Sequence, residues 1–160
     1  MSKQISTHAA AAKAIRTELK KHNISAKVRC SSYTGGDSVT VSLSNELPAT
    51  VDAVKVFADQ FQAGHFDGMT DMYEYSNNRA DIPQVKFVFV QNDYSNEIKQ
   101  AAWDWCRNYW GGMEDAPESY AEACSYLHKP SGERCSSLVH RALNEVRGGF
   151  WSSRKQRVQA

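Results

Sequence analysis

The run Gly132-Glu133-Arg134-Cys135-Ser136-Ser137-Leu138-Val139 puts a cysteine at the start of an amphipathic segment. A thiol at a helix N-terminus has a lowered pKa and can serve as a nucleophile. A cysteine hydrolase also needs a histidine base brought in by a separate element. The only histidine after Cys135 is His140, five residues on and turned to another side of the same segment. His65, Asp67 and Asp71 invite a metal or acid–base reading, but Gly68 stands between them and no matched carboxylate pair follows. That pattern fits a turn whose aspartates cap backbone N–H groups. Cys106, Cys124, His128 and Cys135 match no zinc-ligand spacing, and Cys30, Cys106, Cys124 and Cys135 contain no CxxC pair. Reduced thiols are expected, with Cys30 on an apolar strand face. There is no GxGxxG or other phosphate loop; Gly35-Gly36 reads as a turn. The expectation is a protein without catalysis, cofactor or metal.

Binding residues stand out more clearly. Net charge is +1, but it is unevenly spread. Residues 1–48 carry a net +4 and residues 129–160 a net +5, around segments 49–83 and 84–128 at −4 each. The acidic middle includes Asp67, Asp71, Glu74, Asp104, Glu114 and Asp115, with Trp103 and Trp110 beside it. Acidic side chains with tryptophan anchors suit docking to a basic, nucleic-acid-handling protein, with core packing against the later helices as the competing reading for both tryptophans. Lys27 and Arg29, with Arg154, Lys155 and Arg157 near the C-terminus, suit phosphate contacts. Aromatic residues are not interleaved with these cations along the chain, so protein binding is the leading reading and nucleic acid the alternative.

The elements that must position these residues follow from periodicity. A helix is expected from Ser6 or Thr7 to Lys21, with Ala11, Ala14, Ile15 and Leu19 on one face and Asn23 as its stop. Ile24, Ala26, Val28 and Cys30 then alternate with polar residues, as do Val39, Val41 and Leu43. Period two on both sides of Gly35-Gly36 predicts a β-hairpin. Pro48 breaks the chain before a second helix capped by Thr50, with Val51, Val54, Phe57, Ala58 and Phe61 as its stripe and Gly64 as its end. A loop with a helical turn is expected over 65–75. Val85–Val90 is a strand rich in β-formers, which suits a central or doubly covered position. Helices are expected from Ser95 to Tyr109, from Pro117 to Leu127 and from Cys135 to Val146, before a basic tail. The fold class is α+β: a small antiparallel sheet (hairpin plus third strand) packed with helices, in the order α-β-β-α-β, followed by a helical C-terminal half. The division expected is an α+β domain over 1–95, a helical extension packed on it over 96–147, and the tail over 148–160.

At 160 residues such a chain buries roughly 70% of its unfolded surface and needs no disulfide staples. No apolar run approaches a membrane span and the N-terminus lacks a signal-peptide core, so residence in a host cytoplasm, away from membranes, is expected.

Three segments carry a family resemblance. They are residues 11–20 (AAKAIRTELK), Ser32-Tyr33-Thr34-Gly35-Gly36-Asp37-Ser38-Val39 and Phe66-Asp67-Gly68-Met69-Thr70-Asp71-Met72-Tyr73. Together with Val90-Gln91 and Tyr94-Ser95, they resemble the large polyvalent-protein-associated domains of phages and conjugative elements, over residues 8–95. The resemblance implies an accessory protein of a mobile genetic element that helps it against host defences. On that basis the expected function is counter-defence, such as anti-CRISPR inhibition, by stoichiometric binding to a host defence protein or nucleoprotein complex. The alternative is a DNA- or RNA-binding protein using its basic ends and hairpin face. The family carries no catalytic residues with it.

Overall fold

Ser6 precedes the first helix in extended conformation, and its carbonyl accepts the Ala10 N–H at 2.9 Å. The computed structural model describes residues 6–144 and 150–151. Helix α1 (Thr7–Lys21) buries Ala11, Ala12, Ile15 and Leu19 at three- and four-residue spacing. Lys20 and Lys21 sit in its last turn, where cations suit the helix dipole. Asn23 then adopts φ 55°, a left-handed stop of the kind expected.

Strands β1 (Ala26–Tyr33) and β2 (Gly36–Ser44) form the hairpin, closed by a turn with Gly35 at φ 93°. Val28 pairs with Val41 and Cys30 with Val39, so one face carries the apolar set. Val28, Val39, Val41 and Leu43 are buried. Cys30 is exposed, at the turn end of its strand, so the expected cover over that position is missing.

Helix α2 (Pro48–Asp59) begins at Pro48 rather than after it. Proline is tolerated there because the first-turn N–H has no helical partner to lose. Val51 and Val54, with Phe61 beyond the helix, join α1 and the inward sheet face in one core.

Residues 65–75 do not form a helical turn. They make a two-stranded antiparallel ribbon, β3 (His65–Asp67) and β4 (Met72–Glu74), in register Phe66 to Tyr73. Strand β5 (Phe87–Asp93) returns beside β2 and runs parallel to it, Val39 against Val88 and Val41 against Val90. The sheet is therefore mixed, in the order β1-β2-β5, not wholly antiparallel. The physical reason is the crossover: a chain that leaves β2 through a helix re-enters the sheet in the same direction. The hairpin strand β2 is central and β5 lies at the edge of the named strands with Phe89 exposed, neither central nor doubly covered as expected. Arg16 Nη2 donates to the Val28 carbonyl at 2.9 Å, and Gln62 Oε1 accepts the Val88 N–H at 2.8 Å.

The chain divides into two compact units. The first takes in Met1–Glu46 and Thr50–Asp93; the second takes in Leu47–Ala49 and Tyr94–Ala160. The second unit is built on helix α3 (Asn96–Tyr109), with Ser95 as its N-cap, and helix α4 (Cys135–Asn144). Its core holds Ile98, Ala102, Trp103, Cys106, Leu138, Val139 and Leu143. The helix expected from Pro117 is only a 3-10 turn, Glu122–Ser125. Side chains from α3 occupy the backbone that a helix would use. Trp103 Nε1 donates to the Pro117 carbonyl at 2.8 Å, and Gln100 bonds both the Glu118 carbonyl and the Tyr120 N–H. The α+β class and the order α-β-β-α-β stand as expected, with the β3–β4 ribbon added between α2 and β5. The last residues expected in the third C-terminal helix lie outside the described residues, as does the expected tail except for residues 150 and 151, where Phe150 is buried in the second unit's core.

Candidate functional site

A sheet covered on one face by helices leaves its other face to be accounted for. In a strand, side chains alternate faces, and register decides which residues of different strands share a row. One row joins Arg29, Thr40 and Phe89; the next joins Lys27, Ser42 and Gln91; on the other side lie Ser31, Ser38 and Phe87. The outward face of the first unit's sheet thus carries two cations, a column of hydroxyls and two aromatic rings. Lys27 and Arg29 are exposed, and Phe89 is 49% exposed. Ser31 Oγ and Ser38 Oγ are 3.0 Å apart, a hydrogen bond that fixes this end of the hydroxyl column.

The rings extend beyond the sheet. Phe87 and Phe89 lie nearly parallel, 12° apart with centroids at 6.1 Å. Tyr73, from β4, meets Phe87 edge-on at 5.4 Å and Tyr75 at 4.9 Å. Lys86 Nζ sits 5.0 Å from the Tyr73 ring centroid and 5.8 Å from that of Phe87, and donates to the Gly35 carbonyl. Cation and rings attract one another at these distances. The Tyr73 hydroxyl donates to the Lys86 carbonyl, which pins the ribbon β3–β4 to the start of β5. A continuous aromatic path, Tyr75-Tyr73-Phe87-Phe89, therefore leads onto the cationic rows. Two carboxylates lie near. Asp37 Oδ1 accepts the Lys86 N–H at 2.8 Å, and Asp93 occupies the row of Ser44.

The expected site residues fall as follows. Lys27 and Arg29 share the open face, as their alternation predicts. Arg154, Lys155 and Arg157 lie outside the described residues. Asp67, Asp71 and Glu74 share the β3–β4 ribbon. Asp67 accepts the Met69 N–H at 2.9 Å and the Thr70 hydroxyl at 2.8 Å, and these bonds hold its carboxyl below the usual range. Asp71 has φ 55° in the turn, and Glu74 faces His65 at 3.6 Å. The aspartate-capped turn is thus present, though between strands.

Trp103 is fully buried and its indole N–H is spent on Pro117, so it is not a surface anchor. It turns inward because α3 is covered on more than one face, with Ile98, Ala102, Trp103, Trp105 and Cys106 all buried. Trp110 is half-buried, edge-on to Trp105, with the Arg141 guanidinium 4.7 Å above its ring. Asp104 accepts from Gln100 at 2.9 Å. Asp115 pairs with Lys129 and accepts from the Tyr126 hydroxyl; the Lys129 ammonium, first of these, lowers its pKa. Glu114 is exposed.

Sequence reasoning missed Phe87, Phe89, Tyr73 and Lys86. Its signal was present in Val85-Lys86-Phe87-Val88-Phe89-Val90, a strand apolar on both faces with the aromatics all on one. The separation of aromatics from cations along the chain is overturned by register, which places Phe89 in the row of Arg29.

A family model, large polyvalent protein associated domain 29, matches residues 6–102. The chain belongs to this family. The match spans α1 through β5 and so contains every residue of the open face in this polyvalent-protein-associated domain. No curated protein and no solved structure matches the chain.

Among the described residues of this family member, no group of three or more His, Cys, Asp or Glu side chains converges as metal ligands would. Also among them, no helix is long and apolar enough to cross a membrane. Cys135 starts α4, yet it is fully buried, and that burial pushes its thiol up to about 11. Burial disfavours the thiolate more than the helix N-terminus favours it. Cys106 is likewise buried, whereas Cys30 and Cys124 are exposed. A neutral-pH alkylating reagent is therefore expected to modify two thiols rapidly in the native protein and all four in denaturant. Peptide mass mapping checks this, and rapid labelling of Cys135 in native protein would contradict the burial.

Proposed function

We propose that this chain is a non-enzymatic accessory protein of a phage or conjugative element that acts in the host cytoplasm as a counter-defence inhibitor. It works by stoichiometric occupation of a host defence protein or nucleoprotein complex, of which a CRISPR effector is the most concrete case. Family membership supports the mobile-element setting. The observation that carries the binding role is the open sheet face, where half-exposed Phe89 stands in one row with exposed Arg29. A surface mixing exposed aromatic and cationic side chains suits recognition, because the ring gains by losing water and arginine keeps strong directional donors.

The acidic surface expected to dock a partner supports this role less well. Asp67, Asp104 and Asp115 are engaged by neighbours, and Trp103 is internal.

The test is a challenge assay. Host cells with an active CRISPR or restriction system receive a targeted plasmid with and without this chain expressed. Transformation is expected to rise by at least ten-fold when the chain is present. The rise should be lost with the double substitution Arg29→Glu and Phe89→Ala. Equal transformation with and without the chain, across representative defence systems, would remove the counter-defence reading.

A further inference from the structure

We infer that the outward face of the mixed sheet binds a single strand of nucleic acid, with bases stacked on Phe89 and Phe87 and phosphates held by Arg29 and Lys27. This rests on the reading that the chain acts by binding, and it names the chemistry of what the face takes.

Four observations point to this occupant. The first is the pairing of ring and charge. Adjacent strands lie about 4.8 Å apart, so Arg29 on β1 and Phe89 on β5 are separated across β2 by about 10 Å. A nucleotide has a flat apolar base at one end and an anionic phosphate at the other. A base on Phe89 leaves its phosphate within reach of a flexible arginine or lysine in the same or the next row. The second is the stacking surface. Phe89 is half exposed and Phe87, partly buried, lies nearly parallel beside it, which gives a ring surface on which unpaired bases can stack. The third is the hydroxyl column between charge and ring, Thr40 and Ser42, which offers donors and acceptors to sugar and base edges without demanding one sequence. The fourth is charge. Lys27, Arg29 and Lys86 face or border this surface, against Asp93 at one end and Asp37, whose Oδ1 is occupied by the Lys86 N–H.

The same features disfavour a duplex. In a duplex the base faces are already stacked on one another and cannot reach a ring on a flat sheet. A duplex would meet Arg29 and Lys27 through phosphate alone and leave Phe89 idle. An acidic protein segment would also meet the cations, but it has no series of flat rings to lay on Phe87 and Phe89.

The experiment uses the full chain with fluorescein-labelled dT20, rU20 and a 20-base-pair duplex, read by anisotropy between 25 and 200 mM salt. Single strands are expected to bind more tightly than the duplex at every salt concentration. Comparison of dT20 with rU20 distinguishes DNA from RNA as the source of the strand. Phe89→Ala is expected to weaken binding on the order of 10-fold to 100-fold, the usual loss for one stacked base, with the salt dependence unchanged. Phe89→Tyr should retain most of the affinity. Lys27→Ala with Arg29→Ala should also weaken binding at low salt and, unlike Phe89→Ala, flatten the slope of log K against log salt by about 1.4, at roughly 0.7 per phosphate contact. All these positions are exposed, so circular dichroism should match the parent protein.

No binding of either single strand at 25 mM salt would overturn the inference. So would binding that is indifferent to Phe89→Ala. The proposed function fails separately. If the oligonucleotides do not bind but Phe89→Ala still abolishes plasmid protection, the face contacts protein and only this inference falls.

Discussion

Replacing Trp103 with alanine is expected to cost about 3–5 kcal/mol, the largest effect of any single truncation in the second unit. The indole is fully buried, packs edge-on against Tyr126 at 5.7 Å, and shares its core with Cys106, Leu138 and Val139. Its removal leaves a cavity that backbone-anchored neighbours fill poorly. A second loss comes from Pro117, whose carbonyl accepts the indole N–H at 2.8 Å. The two parts can be separated. Trp103→Phe keeps most of the apolar volume but not the donor, and should cost about 1–3 kcal/mol for the orphaned carbonyl and the smaller ring. Urea midpoints for the two variants against the parent check the ranking. A surface anchor would behave otherwise: alanine there would leave the midpoint almost unmoved and weaken only binding. A midpoint change below the equivalent of about 1 kcal/mol for Trp103→Ala would contradict the burial.

The second large effect is expected at Gly64. A methyl group placed there would lie 1.8 Å from the Glu74 carbonyl oxygen and 2.7 Å from its carbon. The obstacle is backbone of the neighbouring strand, so no side chain can swing aside. Gly64→Ala must therefore push β4 away from the chain entering β3, at a cost of roughly 3 kcal/mol or more. The damage should be local first. Tyr73 and Tyr75 ride on or beside β4, so their rings should leave Phe87 and each other. Amide hydrogen exchange over residues 65–75 and the aromatic proton shifts of Tyr73 and Phe87 report this directly. Unchanged protection and unchanged shifts in Gly64→Ala would mean that the close approach is absent in solution.

Where local pattern decided structure, the sequence was legible. Helix α1 follows from Ala11, Ile15 and Leu19, and Asn23 ends it as a left-handed stop should. The hairpin follows from alternation on both sides of Gly35. The outward place of Lys27 and Arg29 follows from the same alternation. Legibility ended where distant segments decide. Nothing within Phe87–Asp93 says which way the strand runs, because direction is set by the crossover that delivers it. The strands β3 and β4 have three residues each, too few to show a period, and their pairing depends on the close approach at Gly64. The helix expected from Pro117 reads well locally, yet Gln100 and Trp103 take its backbone groups for themselves.

The site shows the same division. Arg29 was readable as an exposed cation and Phe89 as part of a β-rich run, but their sharing of a row is a fact of register alone. Trp103 reads from sequence either as a docking anchor or as core, and its burial among several neighbours of α3 decides for the core.

The bonds from Arg16 to the Val28 carbonyl and from the Val88 N–H to Gln62 have a consequence for how a partner can approach. A sheet offers two kinds of invitation: its flat side, and the unpaired backbone of its outermost strands. Here β1 and β5 each have a side chain from elsewhere in the unit seated on their main chain, and residues 61–63 further bond Val85 just ahead of β5. An incoming strand would have to displace these groups before it could zip on, which also guards against copies of the chain joining edge to edge. Recognition by strand addition is thereby discouraged, and encounters are directed to the broad side.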